Sequence, residues 1–290
     1  MMIIDGKEIA REINAKTRQQ VAALKVHQLT PGIAVIVVGD DPASQIYTRT
    51  KHRLAQKLGI ASTRYHFPAD VDQATVLQQV RKLNRDDNVD AILVQAPLPA
   101  QLNGEEIVNT IDPAKDADGL HPLNLGRLYA KQGGHYPVAC TPRGIMTLLN
   151  LYQVPLEGAN VVIVGRSLLV GKTLLALLNN RNATVTFVGR HTKKRAALTR
   201  QADILIVAAG APGLITAGDV KAGAVVIDVG INRLPSGKLV GDVDFASVAP
   251  RARLITPVPG GVGPLTVAML MRQTVELAEW RRELSSFLVG

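Results

Sequence analysis

Residues 161–171 read VVIVGRSLLVG, and this stretch decides the fold. Four apolar residues end at Gly165, a tight turn follows, and a helix is predicted to begin beyond it. A helix that starts directly after a buried strand presents free N–H groups and a partial positive charge, which suit a phosphate. Ser167 stands where the G-x-G-x-x-G pattern has its second glycine. Taken alone, the stretch fits either a dinucleotide loop or an ordinary strand-to-helix turn.

The end of the next strand bears on which dinucleotide would bind. A site for NAD normally carries an acid there, which bonds the ribose hydroxyls. Residues 187–195 read FVGRHTKKR and contain no acid, and Arg190 lies near the expected position. Because a guanidinium pairs bidentately with a 2′-phosphate, the sequence predicts NADP, with NAD as the alternative. The same basic run is also compatible with a solvated helix start.

The whole chain alternates strands with helices, which predicts an α/β fold in two domains with parallel sheets. The first domain is expected to span 1–140 and the dinucleotide-binding Rossmann domain 141–265. A last helix near 265–284 has no strand after it, so residues 266–290 are expected to complete the first domain. The predicted strands are Ile33–Val38, Thr63–Phe67, Ala91–Val94, Val161–Val164, Thr184–Val188, Ile204–Ala208, Val225–Val229 and Leu254–Ile255.

The composition of the chain indicates which ligands it suits and in which compartment it is expected. The net charge of +9 predicts anionic small-molecule ligands or simply a basic surface. Aromatic residues make up only 3% and the basic residues are scattered, which disfavours nucleic acid. No apolar run suits a membrane span, and the N-terminus lacks a signal-peptide core. With one cysteine, Cys140, and six histidines without metal-ligand spacing, we expect a cytoplasmic enzyme without a metal. Cys140 itself is interpreted as a small buried residue.

Two residues of the first domain share a helix face. Tyr47 and Lys51 are four positions apart on the helix predicted over 43–58, and Leu54 and Leu58 continue that face. A lysine near apolar surroundings can move a proton or polarise a substrate. Such a pair can equally lie on an ordinary surface.

Eight segments, taken in order, resemble one family. They are SQIYTRTK (44–51), VQAPLP (94–99), KDADGLH (115–121), CTP with Gly144 (140–144), VGRS (164–167), VIDVGIN (226–232), GDVD (241–244) and TPVPGGVGPLTV (256–267). The chain is therefore similar to the bifunctional methylenetetrahydrofolate dehydrogenase/methenyltetrahydrofolate cyclohydrolase family over nearly its whole length.

The resemblance implies two reactions on a folate. Hydride leaves methylenetetrahydrofolate for NADP, and water then opens the methenyl cation to 10-formyltetrahydrofolate. It implies that Tyr47 stacks on the folate and that Asp118 forms hydrogen bonds with the pterin edge. It also implies that Lys51 assists the hydrolysis and that Gln95 lies close enough to tune Lys51. It also implies a homodimer and a place in one-carbon metabolism, which supplies purine, methionine and histidine biosynthesis. Further implied contacts are Val94, Pro259, Gly260, Gly261 and Pro264 for the folate, and Gly165, Arg166, Ser167, Arg190 and Ile231 for the cofactor.

The chain departs from the family pattern at four positions. Gly189 and Arg190 stand where a His and a Ser are usual, Thr173 replaces a Pro, and Leu265 replaces a common Met. Gly189 and Arg190 bear on the choice between NADP and NAD, because the usual Ser helps to hold the 2′-phosphate of the cofactor. Three other readings stay open: a similar dehydrogenase with another substrate, such as an amino-acid or shikimate-type enzyme; a non-catalytic folate- or nucleotide-binding protein; and a dehydrogenase without cyclohydrolase activity.

Overall fold

The computed structural model describes residues 2–282. Its strands are β1 Met2–Ile3, β2 Gly32–Val38, β3 Ala61–Phe67, β4 Ala91–Val94, β5 Asn160–Val164, β6 Thr184–Val188, β7 Ile204–Val207, β8 Val225–Asp228, β9 Asn232–Arg233, β10 Leu239–Val240 and β11 Leu254–Ile255. Its helices are α1 Gly6–Val26, α2 Pro42–Leu58, α3 Gln73–Asn84, α4 Gly104–Thr110, α5 Pro122–Tyr129, α6 Cys140–Leu151, α7 Thr173–Asn179, α8 Arg195–Thr199, α9 Phe245–Val248 and α10 Val262–Trp280.

The chain forms two compact units, which confirms the predicted two-domain α/β class. The three-stranded unit consists of Glu12–Val138 and the residues from 267 onward. The six-stranded unit consists of residues 2–11 and Ala139–Thr266. The predicted boundaries place residues 1–11 in the first domain, whereas the structure places 2–11 in the six-stranded unit. The cause is β1, whose two residues pair in parallel with β11.

The three-stranded unit has a parallel sheet in the order β3-β2-β4. Every residue of β2 is buried, as expected for the central strand of a parallel sheet. Helix α2 begins at the Asp41 cap, whose carboxylate accepts a hydrogen bond from the N–H of Ser44 at 2.7 Å. It ends at Gly59, whose φ of 86° is the left-handed conformation of a C-cap glycine. These two signals fix where α2 begins and ends.

The last helix completes the three-stranded unit. Gln273 on α10 donates to the carbonyl of Ala117 at 2.8 Å, and Arg281 pairs with the buried Asp90 at 2.8 Å. The helix predicted over 265–284 begins earlier, at Val262, and ends at Trp280; residues 281–282 form a turn, and 283–284 lie outside the described part of the chain.

The six-stranded unit has an all-parallel sheet in the order β1-β11-β8-β7-β5-β6. From β5 the chain passes first to β6 on one side and then to β7 on the other. In such sheets a ligand binds at the carboxyl ends of the strands, where the order reverses. The expected crevice therefore lies between the loops that follow β5 and β7. Between residues 2 and 282, no helix is both long and apolar enough to cross a membrane.

Candidate functional site

Lys51 and Tyr47 form the centre of a polar cluster in the three-stranded unit. The side chain of Lys51 is only 7% exposed, although it carries an ammonium group. Its Nζ lies 5.0 Å from the centre of the Tyr47 ring, which is a cation–π contact. Because Tyr47 remains 37% exposed, one part of its ring faces the lysine and another part is open to a ligand.

Gln95 is held so that its oxygen faces Lys51. It follows β4 directly, and its backbone N–H donates to the carbonyl of Ile36 at 2.9 Å. The side-chain Nε2 donates to the carbonyl of Ala96 at 2.7 Å. The remaining amide oxygen, Oε1, accepts a hydrogen bond from Lys51 Nζ at 2.9 Å. The amide thus restricts where the ammonium group can lie. Val94, at the end of β4, is half-buried next to it.

Asp118 lies in a short loop that Asp116 organises. Asp116 is buried, and its Oδ2 accepts hydrogen bonds from the N–H of His121 at 2.8 Å and from Asn124 Nδ2 at 3.0 Å. Gly119 follows Asp118 with a φ of 64°, which suits glycine in the turn. These contacts hold the chain on both sides of Asp118.

The electrostatics of the cluster tie Asp118 to its neighbours. Burial raises the pKa of Asp118 to about 6, the charge of Lys51 opposes this rise, and the charge of Asp116 adds to it. Burial also raises the pKa of Tyr47, and the charge of Asp118 adds to that rise. An ammonium, an amide, a carboxylate and an aromatic face are thus brought together. They can bind a flat heterocycle with N–H groups and move a proton next to it.

The loop after β5 is shaped for a close backbone approach. Gly165 has a φ of 117°, and a Cβ on it would lie 2.0 Å from the carbonyl oxygen of Ala208. A Cβ on Gly171 would lie 2.1 Å from the carbonyl oxygen of Gly165. Ser167 caps the following turn, because its Oγ accepts from the N–H of Val170 at 3.3 Å. Ser167 stands where the G-x-G-x-x-G pattern has its second glycine, and it caps the turn instead. The chain therefore still forms a strand, a tight turn and a helix.

Gly189 and Arg166 are packed together at the ends of β5 and β6. A Cβ on Gly189 would lie 2.6 Å from Arg166 Nε. The histidine that the family pattern has at this position would therefore require the arginine side chain to move. Arg190 is exposed, and its Nε donates to His191 Nε2 at 3.0 Å. The sequence did not reveal that Gly189 leaves room for Arg166, because this contact joins two neighbouring strands.

The residues Pro259, Gly260, Gly261 and Pro264 belong to the six-stranded unit, not to the unit that holds Lys51. Gly260 has a φ of 112°, and a Cβ on Gly261 would lie 2.6 Å from the carbonyl oxygen of Pro257. The backbone conformation at Gly260 and the close backbone contact at Gly261 are thus enough to require glycine at both positions, without any ligand. In the same unit Ile231 is 56% exposed, next to Gly263.

Two residues that the sequence reasoning missed are Asp228 and Asp242. Both are buried, at 3% and 0% exposure, and both accept backbone hydrogen bonds at the carboxyl edge of the large sheet. Burial raises the pKa of Asp228 to about 6, which the N–H groups of Val243 and Asp242 oppose. The segments VIDVGIN and GDVD contained them, but their contacts are tertiary.

Cys140 is buried, as expected. Within residues 2–282 no group of three or more His, Cys, Asp or Glu side chains could hold a metal ion.

Comparisons with known proteins place the chain in one family. The tetrahydrofolate dehydrogenase/cyclohydrolase catalytic-domain model matches residues 4–118, and the corresponding NAD(P)-binding-domain model matches residues 139–282. The bifunctional protein FolD of Limosilactobacillus reuteri is 65% identical over 280 residues, which are 96% of this chain and 98% of that protein.

Two solved structures are similar over almost their full length. The bifunctional FolD methylenetetrahydrofolate dehydrogenase/cyclohydrolase from Campylobacter jejuni has a TM-score of 0.95 and 44% identity, covering 97% of this chain and 99% of that one. The Trypanosoma brucei methylenetetrahydrofolate dehydrogenase-cyclohydrolase, complexed with NADP cofactor and inhibitor, has a TM-score of 0.92 and 37% identity, covering 98% and 99%.

Proposed function

The chain belongs to the tetrahydrofolate dehydrogenase/cyclohydrolase family, and we propose that the cluster of Tyr47, Lys51, Gln95 and Asp118 binds its folate substrate and carries the hydrolytic step. The observation that carries this proposal is the hydrogen bond from buried Lys51 to Gln95 at 2.9 Å. Burying an ammonium group is costly unless it has partners, so the burial of Lys51 beside Tyr47 and near Asp118 supports a chemical role.

The enzyme catalyses two consecutive reactions on the folate. In the dehydrogenase reaction, the methylene carbon of 5,10-methylenetetrahydrofolate loses a hydride and becomes the methenyl cation. In the cyclohydrolase reaction, a water oxygen bonds to that carbon and gives up both of its protons, and one carbon–nitrogen bond breaks. The nitrogen that leaves takes up one proton and the other is released to solvent, so the product is 10-formyltetrahydrofolate. Each proton movement needs a group beside the reacting carbon.

Each member of the cluster has a distinct task in this proposal. The open face of Tyr47 stacks on the folate ring system. Asp118 accepts hydrogen bonds from N–H groups of the pterin, because a carboxylate offers two acceptor oxygens. Lys51 holds or moves the proton during hydrolysis, and Gln95 keeps its Nζ in place. Val94, Pro259, Gly260, Gly261 and Pro264 stay predicted folate contacts.

The dinucleotide loop fits NADP, the cofactor of the dehydrogenase reaction. Gly165 and Gly171 let the backbone of this loop pack closely against the carbonyl oxygens of Ala208 and Gly165, which makes the turn tight enough for the following N–H groups to face a pyrophosphate. When bound, NADP supplies the acceptor for the hydride. We assign the 2′-phosphate to Arg166 and Arg190, and the loop contacts to Gly165 and Ser167. Ile231, which is exposed in the same unit, is assigned to the nicotinamide end.

The proposal is tested first on the wild-type enzyme. With methylenetetrahydrofolate and NADP, the absorbance of the methenyl cation should rise and then decay as hydrolysis proceeds. A parallel assay with NAD measures the cofactor preference. An enzyme that reduces NADP with no later decay of the methenyl signal would contradict the hydrolytic role of the cluster.

Replacing Arg190 with alanine should weaken NADP binding by about tenfold or more while leaving NAD almost unaffected. The reason is that a charge-assisted hydrogen bond to phosphate contributes roughly 1.5–3 kcal/mol, and NAD lacks the 2′-phosphate. The measurement is the KM for each cofactor in the dehydrogenase reaction. Arg200, an exposed arginine of the same unit, provides the matched control as Arg200→Ala. An equal loss with both cofactors would contradict the assignment of Arg190.

We further assign the enzyme to the cytoplasm, as a homodimer that supplies one-carbon units for purine, methionine and histidine biosynthesis. The family membership supports this assignment. Sedimentation at micromolar concentration tests the dimer, and a single species of 31.0 kDa would contradict it.

A further inference from the structure

The side chain of Asp242 collects the backbone N–H groups of one loop. Its Oδ2 accepts from Ala209 at 2.6 Å and from Gly210 at 2.9 Å, and its Oδ1 accepts from Ala211 at 2.9 Å. Asn232 Nδ2 donates to the same Oδ1 at 2.8 Å. Four donors on one fully buried side chain match a carboxylate, which is an acceptor only.

The loop that Asp242 holds lies at the dinucleotide crevice. Residues 208–211 follow β7, which is the neighbour of β5 in the sheet. The strand order reverses between these two strands, and the crevice therefore lies between their carboxyl ends. The contact is direct, because a Cβ on Gly165 would lie 2.0 Å from the carbonyl oxygen of Ala208 and 3.3 Å from the N–H nitrogen of Ala209.

A second carboxylate and two glycines keep Asp242 in place. Asp228 accepts from the N–H of Asp242 at 3.0 Å and from the N–H of Val243 at 3.0 Å. A Cβ on Gly230 would lie 2.3 Å from Cγ of Asp242, and a Cβ on Gly241 would lie 1.8 Å from Oδ2 of Asp228. The two carboxylates thus occupy space that only glycines leave open. This arrangement restricts the loop to one conformation.

We infer that Asp242 is a positioning residue for NADP, because its carboxylate shapes the loop 209–211 that forms one wall of the crevice beside Gly165. The inference rests on the proposed function, since it concerns the dehydrogenase reaction of that same enzyme. Three N–H groups turned toward Asp242 cannot turn into the crevice. The backbone facing the dinucleotide is therefore held in one orientation before the dinucleotide binds.

The test is Asp242→Asn, which keeps the size of the side chain but offers one acceptor oxygen and an NH₂ group that faces N–H donors. The matched control is Asp203→Asn, also in the six-stranded unit. Asp203 precedes β7 at the opposite, amino edge of the sheet and accepts from the N–H of Asn160 at 2.9 Å. Both variants lose a carboxylate that accepts backbone hydrogen bonds, but only one of these carboxylates lies at the crevice.

Three quantities are measured on the full-length variants: the Kd for NADP, the dehydrogenase rate, and hydrolysis of added methenyltetrahydrofolate without NADP. Asp242→Asn should raise the Kd for NADP by about tenfold or more and leave hydrolysis within about twofold of wild type. Asp203→Asn should leave both within about twofold. An unchanged Kd for NADP in Asp242→Asn, an equal rise in Asp203→Asn, or a parallel loss of hydrolysis overturns the inference.

A milder variant keeps the inference testable if Asp242→Asn does not fold. Asn232→Ala removes one donor to Asp242 and should raise the Kd for NADP in the same direction by about twofold to fivefold. An unchanged Kd in that case overturns the inference. Failure of the proposed function looks different, because the wild-type enzyme itself would then reduce NADP without hydrolysing the methenyl cation, or would not bind NADP, whereas failure of this inference leaves the wild-type reactions intact.

Discussion

Replacing Lys51 with methionine should lower the rate of methenyltetrahydrofolate hydrolysis by at least about 100-fold, while hydride transfer to NADP stays measurable. A positioned proton-transfer group contributes roughly 10²–10⁴ to the rate of a reaction. Hydrolysis needs such a group because the attacking water releases a proton and the leaving nitrogen gains one. Hydride transfer moves no proton at that position, so it does not depend on the ammonium group in the same way.

Methionine is a suitable replacement because its unbranched side chain matches that of lysine as far as Cε, without the Nζ group, and has a similar helix propensity. Lys51 lies in the interior of α2, and its stem is almost fully buried. The substitution removes the charge over the Tyr47 ring and leaves Gln95 Oε1 without its Lys51 donor. The stem should still pack, and the loss should therefore be chemical.

Two absorbance measurements separate the steps. Decay of added methenyl cation reports hydrolysis, and formation of NADPH from methylenetetrahydrofolate reports hydride transfer. Lys57→Met is the matched control, because Lys57 lies on the same helix and is exposed. It should change neither rate by more than about twofold, as is usual for surface positions. Wild-type hydrolysis in Lys51→Met would refute the role of the lysine.

Much of the fold follows from periodicity in the sequence. The seven-residue strand β2, predicted as Ile33–Val38, and helix α2, predicted over 43–58, each match within one residue. The two-residue strand β1 was not predicted, because a strand this short has no pattern of its own. It exists only because Leu254–Ile255 offers an open edge far along the chain. Local rules cannot detect such a pairing.

The candidate site was less predictable than the fold. The spacing of Tyr47 and Lys51 on one helix indicated a common face, and the structure places the Lys51 ammonium over the ring. The partner oxygen comes from Gln95, which lies 44 residues further along the chain, so the pair depends on the sheet order β3-β2-β4. Asp242 was missed for a related reason. Its donors come from a loop about 30 residues earlier, and the sequence marks the contact only by the nearby glycines 230 and 241.

Asp118→Asn should impair both reactions together, unlike Lys51→Met. In the proposed complex the carboxylate accepts N–H groups of the pterin, whereas an amide offers one acceptor oxygen and turns an NH₂ group toward a donor. Hydrogen bonds to charged groups contribute roughly 1.5–3 kcal/mol each, so the KM for the folate should rise by about 100-fold. Asp70→Asn, at an exposed carboxylate of the same unit, is the matched control and should leave the KM unchanged.

The raised pKa of Asp118 adds a pH dependence whose sign can be stated. Burial raises its pKa from 3.8 to about 6, so the folded protein binds a proton in this range that the unfolded chain has already released. Stability therefore falls as pH rises from about 4 to about 6, because the ionised carboxylate is the less favourable form in the fold. Folate affinity should change in the opposite direction, since the ionised form is the better acceptor.

These two trends make the Asp118→Asn experiment decisive. At pH 7–8 the variant should unfold at a higher temperature than wild type, because its free energy of unfolding is larger by an amount on the order of 1 kcal/mol once solvent screening is allowed for. Near pH 4 the two proteins should unfold at the same temperature. Its folate KM should be high at every pH, whereas the wild-type KM should rise only as pH falls below about 6. Thermal unfolding and KM measured from pH 4 to pH 8 provide both curves. A variant that is less stable at pH 8 would show that Asp118 is a structural residue, because a group kept for ligand binding stabilises the complex at the expense of the free protein.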